Sequence, residues 1–327
     1  MVVTAPNTPA TPLPTVNVTE RPSLRLRVTG GGFTQDILVR PLTMARASKA
    51  WEKMLYGGWK ESEPVDGEWV VEFPEDDPRA VLIIMGIIQG ELSRIPERLN
   101  IALLYKVLEF AHRYNITEVL RPWAAAWLEH AREQYDRGRR DNDAFKLVFI
   151  AWEFGDKALF WTAVSHLVEK CRPVEDGEYK INDWREAMSL SDLIHPFDLE
   201  DKIIGWREEI LSDILQFSQA FILDRREFID PQVLEDFVSS FLFDHPADVS
   251  YSLRKLADIA IDTLESVENS LMLGPLMDAQ LKICQEGWDE FTKLAVLFEK
   301  SLSRIRDKVD EEYSAALHQR AKFMGVE

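Results

Sequence analysis

Two periodicities organise the first third of the chain. LRLRV (Leu24 to Val28) alternates apolar and basic residues with period two, the signature of a half-buried strand. Gly30, Gly31 and Gly32 follow and predict a turn, and DILVR (Asp36 to Arg40) completes a hairpin. The pattern then changes to a helical period over Thr43 to Leu55. Met44, Ala47, Trp51, Met54 and Leu55 fall near one face, and Thr43 is the expected N-cap. EWVVEF (Glu68 to Phe73) returns to β-forming residues and predicts a third strand.

The next stretch, FPEDDPRAVLIIMGIIQGELSRIP, carries its own boundary signals. Asp77 is placed to cap, Pro78 suits the first helical position, and Gly90 is a C-terminal stop. Val81 to Ile88 is apolar on every side except Gly86, so this helix must be covered all round. Its β-branched residues also suit a buried strand, but the Asp-Asp-Pro entry favours the helix. Asn100 caps a further helix, with Leu104, Val107, Leu108 and Ala111 on one side, and Asn115 is its left-handed stop. Thr117 opens another helical stretch that Pro122 kinks or restarts, and Trp123 and Trp127 share a face of it.

Beyond about residue 131 no strand pattern is read. Two helices are expected on either side of Gly155, with Asp156 capping the second, and a loop over roughly 172 to 182. Helical period continues from 198 almost to the end, with breaks at Pro231, Pro246 and Gly274-Pro275. Residues 1 to 22, rich in Thr and Pro, bury too little apolar surface to offset their ordering entropy and are expected to be disordered. The predicted organisation is therefore a 1–22 tail, a mixed α+β domain over 23–130 and an all-α region over 131–327.

Charge narrows the functional classes. The formal net charge of -18 repels phosphate backbones, so no direct nucleic-acid contact is expected. The basic run Arg137 to Arg140 is flanked by Asp136 and Asp141 and reads as a solvated loop. No apolar run approaches the roughly 20 residues of a membrane span. No secretory signal is read, and two distant cysteines, Cys171 and Cys284, do not form a disulfide framework, so an intracellular location, cytoplasmic or nuclear, is expected. The six histidines lack ligand spacing, no nucleophile motif is present, and neither a metal, a cofactor nor catalysis is expected. The alternative is an enzyme or small-molecule binder in the Trp- and acid-rich helical region.

The order hairpin, helix, strand, capped helices resembles a BTB/POZ domain of the type common in fungi. The resemblance covers about residues 23 to 130. It is carried by ILVRPLTMARASKAWEKML, with Ala45, Ser48 and Trp51 at the patterned positions, and by GGWKESE (Gly57 to Glu63). EFPEDDPRAVLIIMGIIQGELSRIP and LYKVLEFAHRYNITEVLRPWAAAWL continue it, with Tyr114, Leu120, Pro122 and Trp123 in the latter. It implies a small sheet capped by helices, working as a protein–protein interaction module, adaptor or scaffold. The implied partners are proteins, with a cullin-type ubiquitin ligase among them and a second copy through the first strand and helix. The chain departs from the family at Ser23 or Arg25 and at Arg40-Pro41, where many members carry an acidic residue and a His or Lys that shape the dimer. The expected interaction residues are Trp51, Met54, Leu55, Trp59, Leu104 and Leu108, with Trp59 on a loop as an exposed anchor.

Overall fold

The computed structural model describes residues 11–138, 141–173, 179–182, 187–193, 198–225 and 277–326. The fold is mixed α+β. The chain divides into two units. The first comprises Met1–Arg139 with Phe149–Asp156 and Ala316–Glu327, and the second Arg140–Val148 with Lys157–Ala315. Two later segments thus belong with the N-terminal unit, and the expected boundary near residue 130 is not the one the structure draws.

The first unit is built on a hairpin of β3 (Leu24–Gly30) and β4 (Phe33–Val39). Gly31 and Gly32 take φ of +58° and +80°, a conformation that matches the twist of tight hairpins and that residues with a Cβ resist. Gly30 is required for another reason: a Cβ there would lie 2.2 Å from the Asp76 carbonyl oxygen. The alternation is borne out in register and burial. Leu24, Leu26 and Val28 are buried, while Arg25 and Arg27 reach Asp36 across the hairpin at 2.9 and 3.1 Å on the opposite face. β5 (Val70–Pro74) joins β3 in parallel, with Leu26 beside Val71.

The N-terminal segment departs from expectation. β1 (Thr11–Pro12) and β2 (Val16–Asn17) run parallel to β4 along its outer edge. Leu13 N–H donates to Thr34 O at 2.7 Å, Val18 N–H to Leu38 O at 3.2 Å, and Gln35 to Pro14 O at 3.1 Å. Val18 is fully buried. Composition alone misjudged residues 11–22, because an edge strand offers backbone partners that need no apolar side chains. Residues 1–10 lie outside the described residues.

The expected single helix over Thr43 to Leu55 is two: α1 (Pro41–Ala47) and α2 (Lys49–Tyr56). Ser48 between them is extended, with φ −143° and ψ 125°. Its Oγ accepts from Ala50 and Trp51 N–H at 3.2 and 3.3 Å and donates to Tyr114 O at 2.7 Å. A serine that competes for local backbone groups breaks the helix and caps the next one. Pro41 rather than Thr43 therefore opens the first.

α3 (Pro78–Gln89) matches its sequence signals closely. Asp77 caps it by accepting from Arg79 N–H at 2.8 Å, and Gly90 ends it at φ +86°. Val81, Ile84 and Met85 are fully buried and Ile83 nearly so; Leu82, Ile87 and Ile88 are half-buried. Removing one such side chain from water is worth roughly 1.5–3 kcal/mol. α4 (Ile101–Arg113) has Asn100 at its cap, accepting from Leu103 N–H at 2.8 Å, and Asn115 at φ +53° beyond its end. α5 (Arg121–Gly138) starts where Pro122 permits. Trp127 stacks on Trp123 and donates to Pro96 O at 2.9 Å.

α6 (Asp141–Phe154) and α7 (Lys157–Lys170) are separated at Gly155, whose φ is +78°. A Cβ on Gly155 would stand 2.1 Å from Ala321 N, so only glycine admits the closing helix here. In the second unit, β6 (Arg172–Pro173), β7 (Tyr179–Asn182) and β8 (Ala187–Ser189) form a small antiparallel sheet. This corrects the expectation of no strand beyond residue 131; pieces this short carry too little periodicity to be read.

α8 (Leu199–Arg225) and α9 (Met277–Met324) follow. They run antiparallel where charge pairs join them. Lys202 meets Glu312, Lys308 meets Glu209 at 2.6 Å, and Arg304 meets Asp213. The buried guanidinium of Arg207 donates to Val168 O and Glu169 O at 2.9 and 3.1 Å, closing the C-terminal end of α7. The expected breaks at Pro231, Pro246 and Gly274-Pro275 fall outside the described residues.

Candidate interaction surface

Four of the six residues expected to meet a partner are interior. Trp51, Leu55, Leu104 and Leu108 are each 0% exposed. Trp51 packs against Tyr114 and Phe110 at ring separations of 5.2 and 6.0 Å, and Phe73 meets the same two rings. These side chains hold α2 and α4 to the sheet and have no surface left to offer, which corrects their assignment. Met54 is half-buried, and Trp59 is 67% exposed.

Trp59 stands out from a loop that is tightly hydrogen-bonded. Ser62 N–H donates to Trp59 O at 3.0 Å, Gly58 N–H to Ser62 Oγ at 3.0 Å, and Ser62 Oγ to Met54 O at 3.2 Å. Trp69 donates its indole N–H to Glu61 O at 2.8 Å and meets Tyr56 edge-on at 6.0 Å. Burial, with the Glu63 carboxylate nearby, raises the Tyr56 hydroxyl pKa. Tyr56 and Leu42 are 47% and 55% exposed. Both line an open cleft of about 610 Å³ that also takes in Glu20, Arg21, Arg40, Glu63 and Trp69. Leu42 was missed in the sequence because it follows a proline that reads as the end of a strand. The N-terminal wall was missed because that segment was expected to be disordered.

A second cleft, of about 390 Å³, has Trp123 and Pro122 among its walls with Glu97, Glu129, His130 and Glu133. Glu129 already meets Arg132 at 3.1 Å, and Glu133 meets Arg137 at 3.1 Å. Two of its three carboxylates are thus committed within the chain.

Titratable groups in the interior are used structurally. Glu153 is 2% exposed and accepts from His112 Nδ1 at 3.2 Å, Arg320 Nη1 at 2.9 Å and Thr117 Oγ1 at 3.4 Å. Burial pushes its carboxyl pKa up. The hydrogen bond from His112 and the Arg320 charge together outweigh burial and hold it below the usual range. Asp76 pairs with Arg113 at 2.8 Å, yet burial raises its pKa. Burial also pushes the Tyr114 hydroxyl to about 12 and the Cys171 thiol to about 11.

Among the described residues no group of three His, Cys, Asp or Glu side chains is placed to hold a metal ion. Among them, too, no helix is long and apolar enough to cross a membrane. His195 and His245 lie outside the described residues. The chemistry that the surface offers is aromatic and aliphatic contact with a charged rim, on a backbone fixed by its own hydrogen bonds. Comparison with protein-family models, with curated proteins and with solved structures gives no match.

Proposed function

We propose that this protein is a protein–protein interaction module, an adaptor or scaffold with a BTB/POZ-like N-terminal unit, acting inside the cell in the cytoplasm or nucleus. A cullin-type ubiquitin ligase is one partner class in this reading, and a second copy of the chain is another. The observation that carries the reading is a run of exposed apolar side chains, Leu42 and Tyr56 on one cleft and Trp59 on the loop that follows α2. Leu42 and Tyr56 stand exposed on the short helices α1 and α2, and Trp59 on the exposed, hydrogen-bonded loop after α2. Partner recognition concentrates in such rigid aromatic anchors, surrounded by a polar rim that excludes water. Order among the elements supports the module assignment: a hairpin, two short helices, a parallel third strand and a helix cluster behind the sheet.

The test is quantitative affinity capture from cells expressing the intact protein or a Leu42→Asp/Trp59→Ala variant. Specific partners are expected to be captured by the parent and depleted at least tenfold by the variant. Identical capture by both would remove these side chains from the interaction. Light scattering at tens of micromolar reports the dimer; a monomer mass excludes the self-association arm.

A further inference from the structure

The two short helices that carry Leu42 and Tyr56 hold a local reversal of charge. Residues 40–60 carry five cations (Arg40, Arg46, Lys49, Lys53 and Lys60) against one carboxylate, Glu52, a local balance of +4 in a chain of -18, while the cleft wall itself holds Glu20 and Glu63 beside Arg21 and Arg40. All five cations are exposed.

Helical geometry puts cations and apolar anchors on the same faces. On α1, Leu42 and Arg46 are four apart and both exposed, while Met44 and Ala45 point inward. On α2, Lys49, Lys53 and Tyr56 form one exposed row, opposite buried Trp51 and Leu55. Leu42 and Tyr56 line one cleft, so the two rows meet there. Among the described residues, Arg40, Arg46, Lys49 and Lys53 have no carboxylate within ion-pair distance, whereas Lys60 meets Glu61 at 3.5 Å. In the second cleft, two of the three carboxylates, Glu129 and Glu133, already meet arginines.

We propose that the α1–α2 corner binds an acidic linear segment of a partner protein in which carboxylates alternate with bulky apolar side chains. The apolar residues enter the cleft between Leu42 and Tyr56, and a further one meets Trp59 on the loop after α2. The carboxylates meet Arg46, Lys49 and Lys53. Opposite charge steers the encounter and selects against basic segments, while the anchors supply most of the affinity. This inference rests on the interaction-module reading and adds the character of the partner.

Fluorescence anisotropy on the full chain tests it with three labelled probes. One is a peptide of alternating Asp/Glu and Leu/Phe; the second replaces each acid by Lys; the third keeps the acids and replaces each apolar residue by Ser. The first is expected to bind at least tenfold tighter than either control. Its affinity should fall at least tenfold in Lys49→Glu/Lys53→Glu, and severalfold between 50 and 300 mM salt. Both substituted side chains are exposed, and an unchanged circular dichroism melt confirms that the variant folds. Equal binding of the lysine peptide, no binding of the first peptide, or an unaffected charge-reversal variant overturns the proposal. Binding to phosphatidylserine vesicles that the same variant abolishes also overturns it, assigning the corner to a lipid surface. If Leu42→Asp/Trp59→Ala depletes captured partners but Lys49→Glu/Lys53→Glu does not, the module reading stands and the acidic-segment proposal alone falls.

Discussion

Replacing Glu153 by Gln removes the charge from a carboxylate that ties three separate stretches of the first unit together. The side chain is 2% exposed, and its partners come from α4, from the turn after it and from the end of α9. A hydrogen bond to a charged group contributes about 1.5–3 kcal/mol, and breaking a wholly buried pair costs about 3–5 kcal/mol. His112 and Arg320 each keep about a third of their side-chain exposure, so part of their hydration survives and the cost falls to about 2–3 kcal/mol. Arg320 also lies 4.9 Å from the Trp152 ring centre, a contact that the substitution leaves in place.

The pH dependence fixes the cause. The folded carboxyl pKa is depressed below its ordinary value of 4.5. The stability it contributes is therefore fully present above that pH and is lost as pH falls through the lower folded value. Urea denaturation should show Glu153→Gln less stable than the parent at pH 5, and the difference should shrink towards pH 3. Hydrogen exchange should quicken in peptides covering 149–156 and 316–326. Parallel stability curves down to pH 3, or unchanged exchange in those peptides, would refute the reasoning.

Three further outcomes are expected. Ser48→Ala removes the α2 cap and the bond to Tyr114 O, so chemical denaturation should show a loss of about 1.5–3 kcal/mol. Ile84→Ala, at a fully buried position of α3, should cost about 2–5 kcal/mol in the same assay; a loss under 1 kcal/mol would mean that α3 is not enclosed. In a Cys284→Ser background, the Cys171 thiol, buried and raised to about 11, should resist an aromatic disulfide reagent at pH 8 and react on addition of denaturant; prompt reaction in the folded protein would contradict its burial.

Elements whose signals are local were legible in the sequence. Asp77, Pro78 and Gly90 mark both ends of α3, and Asn100 and Asn115 do the same for α4, because capping and left-handed turns depend on a few neighbouring atoms. The hairpin and its glycine turn are local in the same sense. Ser48 was less legible. Its capping bonds span two or three residues, but the bond that also fixes its hydroxyl reaches Tyr114. The interaction residues divided on burial. Trp51 on α2 and Trp59 on the loop after it were both expected to meet a partner, yet one is enclosed by Phe110 and Tyr114 and the other stands in water. Helical period identifies a face but not what covers it.

The sequence by itself determined both ends of α3 and α4 and the place of the β3–β4 hairpin, and it determined the local excess of cations along residues 40–60. Tertiary structure decided the rest. It placed the Thr/Pro-rich segment on the β4 edge, assigned 149–156 and 316–327 to the N-terminal unit, and brought Glu153 to His112 and Arg320. Those contacts join residues far apart along the chain, and neighbouring sequence carries no record of a partner that only folding brings near.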